Sequence, residues 1–402
     1  MRGTRVETRK QRGESFVVAG RRVVSIAVGC AIAFVLAACV PAPPLDVSST
    51  RTGLDIPWDV RWTPANANPA QALVYTERPN GLSVVANDQL ILHWKPTDLL
   101  VASEAGMMSV ELAPDFTTSR RVFVCFASTA GPDVRVARLV LASGYGSVTN
   151  RTDIVTGMPV NPVGELGRHS GCRLRFGPDG YLWVGTGDAA VGTNPQSPTS
   201  LGGKILRIDQ NGAGAPGNAG PPFDPRIHSW GHRNVQGLAF RGGQAFGVEQ
   251  GSDCDDEVNR LVVGNYGWDP VPRSPGAPQY DESAPMTDLA RFPDAIRATW
   301  SSGCPTIATA GGTFVDGRAW KAWDGGLVLA ALKGTQLRMI RLTADGTGTT
   351  AVSIAVTDRG RLRTPVIGPD AALYVTTGNG GGTDQILRVT PQMVANSATP
   401  TG

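Results

Sequence analysis

A strand–turn–strand unit that recurs six times, a turn-rich composition and the lack of any long helical pattern predict an all-β chain. The architecture they favour is a six-bladed β-propeller of four-stranded antiparallel sheets. Each unit is an alternating apolar segment, a turn often written Pro-Asp-Gly, and a second β-rich segment. Glycine and proline supply 50 and 30 of the 402 residues, a share below that of low-complexity chains. With 41% hydrophobic residues the chain can fill a core, which excludes a disordered protein. No long run has helical periodicity free of Gly or Pro.

The first unit runs from Trp58-Asp59-Val60-Arg61-Trp62 into Leu73-Val74-Tyr75, and the second from Met108-Ser109-Val110-Glu111-Leu112 through Pro114-Asp115 into Val122-Phe123-Val124. The third is the clearest: Arg173-Leu174-Arg175-Phe176, Gly177-Pro178-Asp179-Gly180, Tyr181-Leu182-Trp183-Val184. Further copies begin near Gly237-Leu238-Ala239-Phe240, near Gly312-Thr313-Phe314-Val315, and near Thr364-Pro365-Val366-Ile367 with Gly368-Pro369-Asp370 behind it. Alternation with period two, bounded by Gly, Pro and Asp, is a strand–turn–strand signature. Units recurring every roughly 50–70 residues imply an array in which each sheet buries its face on the next. A ring of such sheets leaves only short edges, whereas a pair of β-sandwiches would not need one motif six times. Gln385-Ile386-Leu387-Arg388-Val389 is expected to close the ring with sheet from the N-terminal side. The propeller is assigned to residues 54–391 and a flexible tail to 392–402.

The first 38 residues have a different character. Arg21-Arg22 precede an apolar run at 23–38 that ends in Leu36-Ala37-Ala38-Cys39. The run is short for a bilayer-spanning helix of about 20 residues. Its basic front and small residues before the break suit a signal peptide, with an uncleaved anchor as the alternative. The ending resembles a bacterial lipobox, which would make Cys39 the lipidated N-terminus of a protein exported to the extracytoplasmic face of the cell membrane. Residues 39–53, with Pro41, Pro43 and Pro44, read as a tether. The formal charge of +3 belongs to the leader. Without residues 1–38, 37 basic and 34 acidic residues fall by seven and two, to 30 and 32, a net of −2. No basic patch for nucleic acid remains.

Besides Cys39, the exported part keeps Cys125, Cys172, Cys254 and Cys304, an even number in an oxidising compartment. Three pairings are open. Order along the chain favours Cys125 with Cys172 and Cys254 with Cys304, against the alternative of buried free thiols.

Four polar segments sit where units begin or end: Gly167-Arg168-His169-Ser170-Gly171 with Gly185-Thr186-Gly187-Asp188; Gly231-His232-Arg233-Asn234; Glu249-Gln250-Gly251-Ser252-Asp253-Cys254-Asp255-Asp256-Glu257; and Arg361-Leu362-Arg363. Loops at one end of a propeller channel carry the ligand. His169 with Asp188 can form a base and its orienter, although a satisfied structural pair reads the same way. Arg233, Arg361 and Arg363 directed into one channel repel one another unless an anion lies between them, and their forks suit carboxylates. Asp255, Asp256 and Glu257 are candidate oxygen ligands for Ca²⁺, without EF-hand spacing; a solvated acidic loop is the other reading.

These segments, together with Leu-Gly-Gly-Lys-Ile-Leu-Arg-Ile at 201–208 and Gly264-Asn265-Tyr266-Gly267-Trp268, resemble the glucose/sorbosone dehydrogenase family over roughly residues 54–391. The resemblance implies a soluble-type aldose sugar dehydrogenase that uses pyrroloquinoline quinone (PQQ) and Ca²⁺ on a six-bladed propeller. It implies that His169 is the general base for the sugar C1 hydroxyl, with hydride passing to the quinone, and that Asp188 orients it. Arg233 and Asn234 would contact the quinone oxygens. Lys333, Arg361 and Arg363 would hold the PQQ carboxylates, Thr306 would make a minor polar contact, and the carbonyls of Gly251 and Ser252 would bind Ca²⁺. The partners implied are an aldose and an external electron acceptor, and the membrane through Cys39.

Glu104, in Glu104-Ala105-Gly106-Met107-Met108-Ser109, stands where the family usually has Gln and is the poorer neighbour for an anionic cofactor. Arg168 stands where some relatives have Asp, and Ser252 replaces a common Pro. An anchored propeller that binds carbohydrate or protein without turnover is the alternative function. A Ca²⁺-dependent lactonase or esterase is a third, and it would not need three channel arginines.

Overall fold

A computed structural model describes residues 37–161, 165–272 and 279–392. Residues 1–36 of the predicted signal peptide and 393–402 of the predicted tail lie outside the described residues.

Six sheets close into a ring, and each begins with its innermost strand: Pro57–Trp62, Met107–Leu112, Gly171–Phe176, Val235–Arg241, Thr309–Phe314 and Leu362–Ile367. Successive first strands contact one another round the ring, and the last meets the first. Later strands follow outward in antiparallel order, as in the second blade: Met107–Leu112, Arg121–Ser128, Asp133–Leu141, Val148–Pro159. The third and fifth sheets gain a two-residue parallel strand at the outer edge, Gly264–Asn265 and Ala38–Cys39. The six-bladed all-β architecture is therefore as the repeats predicted.

Both faces of a blade are covered by its neighbours, so inner strands lose the polar alternation of a one-sided sheet. Met107–Leu112 is buried at every residue. The core lies between blades: Trp58, Phe123, Leu174, Val184 and Leu206 join the first three, while Val315, Trp323, Val328, Leu373 and Leu387 join the last two. In the repeated turn, the Asp179 carboxylate accepts the Tyr181 N–H (3.2 Å) and Gly180 takes φ +78°. An Asx turn followed by a glycine free to adopt positive φ reverses the chain at little cost.

The ring closes in the sixth sheet, where Leu45–Leu54 pairs antiparallel with Asp384–Pro391. This corrects the reading of residues 39–53 as a tether, because most of that stretch is the outermost strand of a blade. Its solvent-facing, Ser/Thr-rich composition hid it, and its partner lies more than three hundred residues away. Both favoured disulfides are present. Cys125–Cys172 links the second and third blades, whereas Cys254–Cys304 ties two loops at the end of the fourth. Sequence neighbours on adjacent blades thus explain only the first pair.

A buried charge cluster crosses the channel. The Asp59 carboxylate, fully buried, accepts two bonds from Arg175 (2.7 and 3.0 Å) and one from Ser109 Oγ (2.5 Å), with Arg173 at 3.0 Å. Arg173 also donates to the Gln236 carbonyl (2.6 Å) and to Thr364 Oγ1 (2.8 Å), which in turn donates to the Trp58 carbonyl (2.6 Å). First strands of blades one, two, three, four and six are joined in this way. Burial pushes the Asp59 carboxyl up, but Arg175, Arg173 and Arg61 more than reverse it and hold it well below the usual carboxylate range.

Asp59→Ala is expected to cost about 3–5 kcal/mol, since it leaves buried guanidinium groups uncompensated; denaturant unfolding measures it. Because the folded-state pKa of Asp59 is depressed, its contribution is present above about pH 4 and is lost as the pH falls further.

Candidate active site

In an antiparallel pair the start of one strand and the end of the next lie side by side. Residues before the first strand of a blade therefore share one mouth of the channel with residues after its second strand. Glu104, His169, Arg233, Asn234, Thr306 and Arg361 come from the first kind of position, Arg363 from the start of such a strand, and Asp188, Gly251, Ser252 and Lys333 from the second.

His169 is held at φ +51° by backbone packed against Gly187, where an added Cβ would lie 1.8 Å from the His169 carbonyl oxygen. Gly187 is therefore required for this close approach. His169 Nδ1 lies 2.9 Å from Asp188 Oδ1, and both side chains are buried. Asp188 Oδ2 accepts the Trp268 indole N–H (2.8 Å) and the Tyr280 hydroxyl (2.5 Å). Burial pushes the Asp188 carboxyl up, but His169, Arg233 and the Tyr280 bond hold it below its ordinary value. Burial and the adjacent Asp188 raise the Tyr280 phenol well above its own. An ionised Asp188 fixes the proton on Nδ1 and leaves Nε2 as the acceptor, and Arg168 Nε lies 3.3 Å from Nε2.

Arg233 Nε and Nη2 donate to Glu282 (2.9–3.2 Å), and Arg168 pairs with the same carboxylate. The backbone of Arg233 is anchored by Glu249, whose Oε2 accepts its N–H (2.9 Å) while Oε1 meets His232 Nδ1 (2.9 Å). Asn234 Nδ2 donates to Glu104 Oε2 (2.9 Å), and Asn234 Oδ1 accepts the Gly171 N–H (3.0 Å).

Arg363 is buried with its guanidinium 3.6 Å above the Trp58 ring. Its one hydrogen bond among the described residues is Nη1 to Gln236 Oε1 (3.3 Å), and its Nε has none. Burial, with Arg173, Arg361 and Arg78 nearby, outweighs the opposing Glu104 and draws it down to about 9. Arg361 is exposed and donates to the Gly378 carbonyl (3.2 Å); Lys333 is exposed. An orphaned buried guanidinium N–H among like charges fits an anionic ligand with several acceptor oxygens.

The acidic loop does not converge. Asp255 accepts from Ser301 Oγ (2.6 Å), Asp256 accepts the N–H groups of Gly251 (3.0 Å) and Ile307 (2.7 Å), and Glu257 meets Asn259 (3.1 Å) and Thr287 (3.2 Å). Each of these three carboxylates thus has partners of its own among backbone and neighbouring side chains, and the three do not point to one common centre. Among the described residues no group of three or more His, Cys, Asp or Glu side chains is placed to hold a metal ion. Thr306 Oγ1 lies 3.5 Å from the Ser252 carbonyl, one of the two carbonyls that remain candidates.

Tyr280 and Glu282 were not singled out in the sequence. They sit in a proline-rich stretch between Gly264–Asn265 and Trp300–Ser301 with no periodicity, and no sequence signal marks them. Trp268 could have been found, because it ends the Gly-Asn-Tyr-Gly-Trp segment.

Residues 54–388 match the family model described as glucose/sorbosone dehydrogenase. The aldose sugar dehydrogenase YliI of Escherichia coli K12 is 27% identical, over 87% of this chain and 93% of that protein. The solved PQQ-bound aldose sugar dehydrogenase of Streptomyces coelicolor superposes with a TM-score of 0.66 at 28% identity, covering 87% of this chain and 99% of that one. The apo form of the soluble E. coli aldose sugar dehydrogenase gives a TM-score of 0.71 at 25% identity, over 87% and 100%.

Burial beside Glu249 pushes the Glu257 carboxyl from 4.5 up to about 8. Its contribution to stability is complete below its unfolded value and is lost as the pH rises through about 8. Glu257→Gln is expected to flatten the fall in melting temperature between pH 5 and 8.5 and to melt a few degrees above the parent at pH 8.5; parallel melting curves would contradict this.

Proposed function

The chain belongs to the glucose/sorbosone dehydrogenase family, and from that premise we propose that it is a quinoprotein oxidising the C1 hydroxyl of aldose sugars with PQQ and Ca²⁺. The observation that carries the reading is the buried, incompletely bonded Arg363 beside Arg361 at the same mouth as the His169–Asp188 pair.

PQQ is a tricarboxylate whose quinone supplies the two-electron acceptor for a hydride from C1. Arg361, Arg363 and Lys333 would hold its carboxylates, the Gly251 and Ser252 carbonyls would hold Ca²⁺, and Thr306 would add a polar contact. Arg233 and Asn234 would face the quinone oxygens, where donors stabilise developing negative charge. For this, Arg233 must give up Glu282. His169 Nε2 accepts the proton of the C1 hydroxyl, and Asp188 stabilises the imidazolium that results. Arg168 must first leave Nε2, while Trp268 and Tyr280 keep Asp188 in place. Turnover would then require an external electron acceptor.

Export and lipidation at Cys39 belong to the same proposal. Cys39 is exposed and free of any disulfide, as a modified N-terminal residue requires. Cys39→Ser is expected to move the expressed protein from the membrane fraction to the soluble one; unchanged partitioning would argue against an anchor there.

Apoprotein given PQQ and Ca²⁺ is expected to reduce a dye with glucose or another aldose. His169→Ala should abolish turnover while leaving PQQ bound, and Arg363→Ala should weaken PQQ binding at least tenfold. No PQQ binding at micromolar concentration would overturn the proposal. Ca²⁺ binding without quinone-dependent turnover would favour an anchored binding propeller.

A further inference from the structure

Glu104 is a carboxylate set among the groups that would face an anionic cofactor. Its Oε2 accepts from Asn234 Nδ2 (2.9 Å) and Gln236 Nε2 (3.3 Å) on the fourth blade. The charges of Arg363 on the sixth blade and Arg78 on the first interact with it electrostatically, and Asp55 acts on Arg78 in the same way. Gln236 links the carboxylate to the cation, since its Oε1 accepts from Arg363 Nη1 (3.3 Å). Arg363 is thus linked to Glu104 through Gln236, and its unpaired Nε is open to an incoming carboxylate.

A guanidinium shared with a ligand carboxylate compensates Glu104 less, and two carboxylates brought close together disfavour double ionisation. Resting on the PQQ reading above, we propose that binding of this polyanionic cofactor takes up one proton from solvent onto Glu104. The neutral carboxyl then offers the site an O–H donor where an ionised one offers only acceptors. Affinity for the cofactor thereby becomes dependent on pH through a single side chain.

PQQ titration of the full-length protein in Ca²⁺, without sugar and followed by cofactor absorbance, reads this directly. The dissociation constant of the parent is expected to rise up to tenfold per pH unit between pH 6 and 8. Glu104→Gln should show a flatter dependence and bind tighter than the parent at pH 8. In weakly buffered solution with an indicator dye, PQQ binding to the parent should consume about one proton more than binding to Glu104→Gln. All other groups are common to both proteins, so the difference isolates Glu104. Equal slopes and equal proton uptake in parent and variant overturn the inference and leave the quinoprotein reading standing. Failure of both to bind PQQ, with folding verified by circular dichroism, overturns the reading and the inference together.

Discussion

The ion cluster around Asp59 is the constraint on which the channel depends. A ring of six first strands must line its axis with side chains, and most of the space is closed by apolar packing between blades. Where charge is buried there, it must be compensated within reach, because an isolated ion in that environment is strongly disfavoured. Asp59 meets this need with Arg173, Arg175 and the Ser109 hydroxyl. Arg173 carries the connection on to the fourth and sixth blades. The contacts fix neighbouring first strands relative to one another along the axis, and the residues that precede those strands inherit that alignment at the mouth.

At the mouth the same rule is applied with looser partners. Glu249 holds the backbone of Arg233 and is enclosed by His232 and Asn259, so it belongs to the scaffold. Glu282 and Glu104 instead occupy donors that face the open channel. An internal carboxylate keeps a guanidinium oriented, and exchange for an external carboxylate conserves the number of charge-assisted bonds. The site in this structure is thus a set of arginines with replaceable partners, next to an imidazole whose tautomer is set by an immobile aspartate.

Much of this was legible in the residues. The repeated strand–turn–strand units carried the architecture because each blade must bury both faces on its neighbours, which imposes the same local pattern six times. His169, Asp188, Arg233, Asn234, Arg361 and Arg363 could be singled out because polar residues at the edges of apolar strands need a reason. Leu45–Leu54 was missed as a blade strand because its pairing partner is the C-terminal Asp384–Pro391, and nothing local distinguishes an exposed edge strand from a tether. Tyr280 and Glu282 were missed because a segment without regular structure leaves no periodicity in its sequence. The acidic run at 255–257 shows the converse: three adjacent carboxylates in the chain point to three different sets of partners.

By itself the sequence determined the class of fold, the number of blades and the inventory of charged groups at the mouth, and it favoured one of three pairings of the four propeller cysteines. These follow from local patterns that repeat and from residue types that are costly to bury. Only the tertiary structure decided which charge meets which. The assignment of Arg173 to the scaffold and Arg363 to the mouth, of Asp59 to three arginines and of Glu282 to Arg233, depends on distances across the channel between residues tens to hundreds of positions apart. Coulombic and hydrogen-bond energies fall steeply over a few ångströms, so that choice is made by packing and leaves no trace in the order of residues along the chain.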